Sequence, residues 1–232
     1  MRLLETIKAD VLFQFRHYLY YMYVIVSALY VLLLYWIPSH IKDETAMFLL
    51  FSDCSFLGAF FIGGIVLLEK DQGIYDHLFV TPVRVSEFIW SKVISLGMIS
   101  LLSSLVIFLF SFDLTVRVVF LLTGVVLNSI FASLLGLIFA VRVNSINQYL
   151  MISPAFVTIF FLPILEVLKI WESPFMYAIP GKAGLLLMEG VFKPLSVYEW
   201  LYSLAMLTLA IVVTYLLAKK SFYKHVIMRI GG

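Results

Sequence analysis

The chain has 232 residues, 63% of them hydrophobic and 13% charged, with a net charge of +2. Soluble domains hold roughly 45–50% apolar and about 25% charged residues, so an ordinary aqueous fold is excluded and most of the surface must face lipid. The 21 Phe, 13 Tyr and 4 Trp exclude a disordered chain, and so small a charge gives no reason to expect a nucleic-acid partner.

The first residues, MRLLETIKADVLFQFR, carry a charge every two or three positions and no uninterrupted apolar run, so they do not read as a signal peptide. On a helix, Leu3, Leu4, Ile7, Val11, Leu12 and Phe15 share one face, with Arg2, Glu5, Lys8, Asp10 and Gln14 mostly on the other. That pattern predicts an interfacial helix over 1–16, lying in the headgroup plane. The alternative, an extended start to the first span, would carry the charges into lipid.

Crossing a hydrocarbon core of about 30 Å takes about 20 mostly apolar residues as a helix. Six stretches qualify, at 18–37, 46–68, 93–112, 116–141, 149–168 and 200–218. Runs such as VVFLLTGVVLNSIFASLLGLIFAV do not alternate in polarity, which excludes a transmembrane β-barrel. Six spans put both termini on one side. Arg2, Lys8, Arg16, Lys70, Arg84, Lys92, Arg142, Lys219, Lys220, Lys224 and Arg229 fall on that side, and Lys42, Arg117, Lys169, Lys182 and Lys193 on the other. The excess predicts that both termini are cytoplasmic.

Two connections are long. The inner loop, 69–91, reads EKDQGIYDHLFVTPVRVSEFIWS. Gly73 can end the helix before it, Ile74, Leu78 and Phe79 share one face of a short helix, and Pro82 stops that helix. Such a face needs cover, from the lipid surface or from another protein. The outer segment, 169–199, holds Pro174, Pro180, Gly181, Gly184, Gly190 and Pro194 around an apolar patch, Leu185 to Met188. It is too interrupted to span and too apolar for a surface loop, which predicts a re-entrant hairpin with its irregular backbone buried in protein.

The inner loop resembles that of the membrane subunits of type-2 ATP-binding-cassette (ABC) exporters. The matching residues are Glu69 at the end of the second span, Gly73 four residues on, Leu78 in the short helix, then Thr81, Pro82 and Lys92, with Glu87 between. The family commonly has Gly-Thr-Leu-Glu where this chain has Gly73-Ile74-Tyr75-Asp76, a departure on the helix face. The resemblance implies an all-α integral membrane fold of six spans, with an interfacial first helix, a cytoplasmic coupling helix between spans two and three, and an outer re-entrant hairpin before the sixth. It further implies that Glu69, Gly73, Ile74, Leu78, Phe79, Thr81, Pro82 and Lys92 couple the chain to an ATPase. The sequence has no G-x-x-x-x-G-K-[ST] phosphate loop, so no cofactor is expected in this chain. ATP and Mg would be bound by two separate ATPase subunits, and the permease would work beside a second copy or a close homologue. The small drug-exporter permeases of the class are the most similar in character, which favours an amphipathic, drug- or lipid-like substrate.

Within the spans, Ser55, Ala59 and Gly63, then Ser129 and Ser133, and Ala132 and Gly136, recur at four-residue spacing. Such faces serve close packing or a dimer seam. Asp53 and Asn128 are candidate polar residues of a pathway. Asp53 either reaches the outer interface or contacts substrate or ion, and an ion-coupled secondary transporter using Asp53 is the alternative function. Cys54 is the only cysteine and the four His are scattered, so no metal site and no catalytic residues are predicted.

Overall fold

The computed structural model describes residues 2–77, 83–112 and 118–228, and all regular structure among them is helical. Helix α1 spans Arg2–Arg16, α2 Leu19–Trp36, α3 Ser39–Asp71, α4 Ile74–His77, α5 Val85–Ser111 and α6 Val118–Ala140. They are followed by α7 at Ile146–Phe161, α8 at Ile164–Val167, a 3₁₀ turn at Pro174–Ala178, α9 at Pro180–Phe192 and α10 at Val197–Ile227. Five of these (α2, α3, α5, α6 and α10) are long and apolar enough to cross a membrane, and α7 is a shorter apolar helix.

Three expected spans prove to be parts of longer helices: α3, α5 and α10 run well past the apolar stretches at 46–68, 93–112 and 200–218. Backbone hydrogen bonding does not stop where hydropathy does. The expected fifth span, 149–168, is not one helix: α7 ends at Phe161 and Pro163 starts the short α8. A proline deep in a helix removes one N–H and crowds the carbonyl four residues back. Pro154 is nevertheless inside α7, and there the Ser153 hydroxyl donates to the Leu150 carbonyl that Pro154 cannot reach.

Helix α6 is the hub, with α3, α5, α9 and α10 packed on it. Tyr149 of α7 pins the α3–α6 contact. Its hydroxyl donates to the Ala59 carbonyl at 2.6 Å, and its ring lies where a Cβ on Gly63 would stand, so the Ala59/Gly63 face serves packing within the chain. One apolar core gathers Ile62, Leu67, Ile89, Leu96, Leu137 and Phe222 at the end that carries α1. Another gathers Leu34, Leu50, Phe51, Ile107, Leu121 and Met188 toward the opposite end.

Helix α9 occupies the outer segment and is buried against α3, α6 and α10, with Leu185 to Met188 all inside the protein. Pro180 is its first residue, where a missing N–H costs nothing. Helix α1 corrects an expectation about its faces. Asp10 and Gln14, placed by periodicity on the polar face, are its buried residues, while Leu4, Leu12 and Phe15 are exposed.

Candidate functional site

Lys92, near the start of α5, is fully buried in a position that apolar neighbours alone could not stabilise. Its ammonium donates to Asp10 Oδ1 of α1 at 2.9 Å and to Glu69 Oε1 near the end of α3. All three side chains are at least nine-tenths buried. The ammonium also lies 4.2 Å from the centre of the Phe88 ring, one helical turn earlier. One cation thus ties together three helices that are remote in sequence.

The elements around this joint follow from local chemistry. At the start of α5 the Glu87 side chain reaches back to the N-cap residue, where the Arg84 backbone N–H donates to Glu87 Oε2 at 2.8 Å. That start places Phe88 and Lys92 on one face, four residues apart. At the end of α3, Gly73 turns the chain with φ 67°, a left-handed conformation that costs a residue with a Cβ roughly 1–2 kcal/mol. The turn sends Tyr75 back under α3, where its hydroxyl donates to the Val66 carbonyl at 3.0 Å and toward Glu69 Oε2 at 3.4 Å. Burial pushes the Tyr75 phenol well above its usual range, and the Glu69 carboxylate adds to the rise. Its ring packs edge-on against Phe88 and Phe222, which touch each other, so the end of α10 joins the cluster.

Further bonds knit this end of the molecule. Gln14 Nε2 donates to Ser95 Oγ at 2.6 Å, a second link from α1 to α5. Lys70 donates to the Val143 carbonyl and Asn144 Oδ1, tying the end of α3 to the α6–α7 turn, and Arg142 reaches Ser221 on α10. The opposite end has a lighter ionic contact, Lys182 of α9 to Glu166 of α8 at 2.8 Å.

Of the residues singled out in the sequence, Glu69 and Lys92 are brought into direct contact, and Gly73 and Ile74 follow immediately. Leu78, Phe79, Thr81 and Pro82 lie outside the described residues, as do Arg117 and Arg229. Asp53 and Asn128 are buried in different settings. Asn128 donates to the Gly124 carbonyl at 2.8 Å, and its amide fills the space where a Cβ on Gly184 of α9 would stand, only 2.1 Å away. It is a packing group between α6 and α9. Asp53 opens a π-helical turn in α3, Asp53–Leu57, beside Ser103 and Tyr23.

Sequence reasoning missed Asp10, Gln14, Tyr75 and Phe88. The signal for Asp10 was available: a lysine at the head of an apolar helix demands a counter-charge, and Asp10 lies beside the span-two and span-three ends in the expected topology. Tyr75 belongs to the stretch where the chain departs from the ABC pattern, and that residue folds into the joint. Among the described residues no group of His, Cys, Asp or Glu side chains assembles to hold a metal.

An all-helical chain with five apolar helices of membrane length is a multi-pass membrane protein. The sequence belongs to the fluoroquinolones export permease protein family, whose profile matches residues 1–230. It is similar to two fluoroquinolones export permease proteins of Mycobacterium tuberculosis, from strains CDC 1551 / Oshkosh and ATCC 25618 / H37Rv. Each is 24% identical over 233 residues, covering 99% of this chain and 98% of the relative. The resemblance to the membrane subunits of ABC exporters, and among them to the small drug-exporter permeases, is borne out by this family membership.

Proposed function

We propose that the chain is the permease subunit of an ATP-driven ABC exporter that moves an amphipathic, drug-like substrate across the cytoplasmic membrane. The observation that carries the reading is the buried Asp10–Lys92–Glu69 joint, set directly beside the loop that resembles a coupling helix. A push on that loop would reach Glu69 through Gly73 and Tyr75, and through Lys92 would reach α5 and α1 together. Two ATPase subunits would bind ATP and Mg and seat the segment 74–82, which includes Ile74, Leu78, Phe79, Thr81 and Pro82. A second permease, identical or closely related, would complete the pathway.

In this reading α7 with α8 forms the fifth of six spans, α9 dips into the outer leaflet as the re-entrant helix, and both termini are cytoplasmic. The exposed Leu4, Leu12 and Phe15 of α1 supply the face that lies on the inner leaflet. The substrate class in the relatives' names, fluoroquinolones, supports a drug-like cargo.

The test uses inside-out vesicles and purified protein. Gly73→Asp and Leu78→Asp variants should insert normally yet lose ATP-dependent uptake and substrate-stimulated ATP hydrolysis, and the wild-type chain should co-purify with an ATPase. Undiminished uptake by both variants would overturn the coupling role.

A further inference from the structure

Asp53 is fully buried, and neither carboxylate oxygen has a hydrogen-bond partner among the described residues. An ionisable group so placed is costly, because burial without pairing removes the water that would solvate its charge. It lies on the π-helical turn of α3, an irregularity frequent at functional sites. Its immediate neighbours are hydroxyls of the α2–α5 seam. Ser27 and Ser103 share a hydrogen bond of 2.8 Å and Tyr23 and Ser100 one of 3.2 Å, with Ser103 and Tyr23 close enough to Asp53 to interact with its charge.

This seam is the floor of a groove of about 710 Å³ between α2 and α5, with Tyr23, Ser27, Ala28, Tyr35, Ser103 and Phe110 among its walls. The volume falls in the range of small-molecule sites, roughly 300–1,000 Å³. The walls are mostly apolar and aromatic, and Ser27 and Ser103 add hydroxyls at the floor. Helix α2 is also the most loosely held of the long helices: only Tyr23, Ser27 and Leu34 of its 18 residues are buried. Ser103 both lines the groove and lies beside Asp53, so its hydroxyl stands between groove and carboxylate.

We propose that the α2–α5 groove is a binding site for an amphiphilic amine, whose apolar body lies along the groove and whose ammonium passes between Ser27 and Ser103 to pair with Asp53. The chemistry selects the ligand. An unpaired carboxylate calls for a cation, the aromatic walls attract a cation and cover an apolar body, and the long open side admits a molecule already dissolved in the bilayer. The proposal rests on the exporter reading for the direction of movement and on Asp53 for recognition.

The experiment compares a naphthylalkylamine with its uncharged N-acetyl derivative, in binding to the purified full chain in detergent and in uptake by inside-out vesicles. The wild type should bind the amine more tightly than the acetylated form. Asp53→Asn should weaken amine binding about tenfold or more and erase the preference, and Asp53→Glu should retain part of it. Ala28→Phe, which fills the groove without touching the carboxylate, should weaken both ligands. An amine preference that survives Asp53→Asn, or amine binding unaffected by Ala28→Phe because the groove holds only lipid or a second copy, would overturn the proposal. Should the exporter reading fail, wild-type vesicles would accumulate neither compound with ATP, or would do so on a proton gradient alone. The binding preference in detergent would still support the site in either case.

Discussion

The molecule buries carboxylates in two places and treats them in opposite ways. Around Lys92, Asp10 and Glu69 converge on one ammonium, a phenol donates to Glu69, and an aromatic ring covers the cation. Behind the α2–α5 seam, Asp53 has the Ser103 hydroxyl beside it, but among the described residues no cation pairs with it and neither carboxylate oxygen accepts a hydrogen bond of good geometry. A paired, hydrogen-bonded charge group fixes the relative position of the helices that contribute to it, and removing one partner leaves the others buried without compensation. An unpaired carboxylate holds nothing in place. On the two proposals above, the first region would transmit a displacement and the second would receive a ligand.

Removing the cation puts the comparison under the greatest strain. Lys92→Met leaves Asp10 and Glu69 facing each other without a counter-charge, and should cost about 3–5 kcal/mol, read as a fall in the thermal unfolding midpoint of the purified protein in one fixed detergent. Combining Lys92→Met with Asp10→Asn and Glu69→Gln removes all three charges and should recover most of that loss. A midpoint that Lys92→Met leaves unchanged would mean that the joint does not form.

Asn128 supplies a control, a buried polar group satisfied within its own helix and used as a spacer. Gly184→Ala inserts a Cβ 2.1 Å from its amide oxygen and should destabilise by about 1–3 kcal/mol through overpacking. Adding Asn128→Ala should restore much of the stability, since the smaller side chain vacates the space. A smaller loss is expected for Tyr75→Phe. It removes the bonds to Val66 and Glu69 but keeps the ring between Phe88 and Phe222, and should cost about 1 kcal/mol. If Tyr75→Phe proves as damaging as Lys92→Met, the phenol rather than the ammonium is the centre of the joint.

The unequal legibility of these regions has a physical basis. Long apolar runs such as those of α5 and α6 declare themselves, because burial in lipid demands uniform hydrophobicity over some 20 residues. Glu69, Gly73 and Lys92 were legible as motif positions, and Gly73 as the helix-ending turn that its φ of 67° bears out. The inward direction of Asp10 and Gln14 was not legible from periodicity. A helical wheel ranks faces by hydropathy, whereas α1 is oriented by a charge on α5 that only the tertiary fold brings near. The break at Pro163 was not read because hydropathy continues through it and because a proline need not end a helix, as Pro154 inside α7 shows. The setting of Asp53 was the least accessible, since nothing in its flanking residues announces a π turn or an absent partner.

Asp53→Asn should therefore have the smallest effect on the empty protein. The amide is nearly isosteric, needs no counter-charge, and replaces a group that contributes no pairing, so the unfolding midpoint should stay close to that of wild type or rise. The contrast appears once an amphiphilic amine is added. A ligand that binds only the folded state stabilises it by about 2.7 kcal/mol at a hundredfold excess over its Kd, so the wild-type midpoint should climb with amine concentration. The Asn variant, having lost the charge that selects the amine, should follow the same curve only at concentrations about tenfold higher or more. Equal climbs in both proteins would show that the amine is held by apolar contact alone, and the two buried regions would then differ in stability but not in purpose.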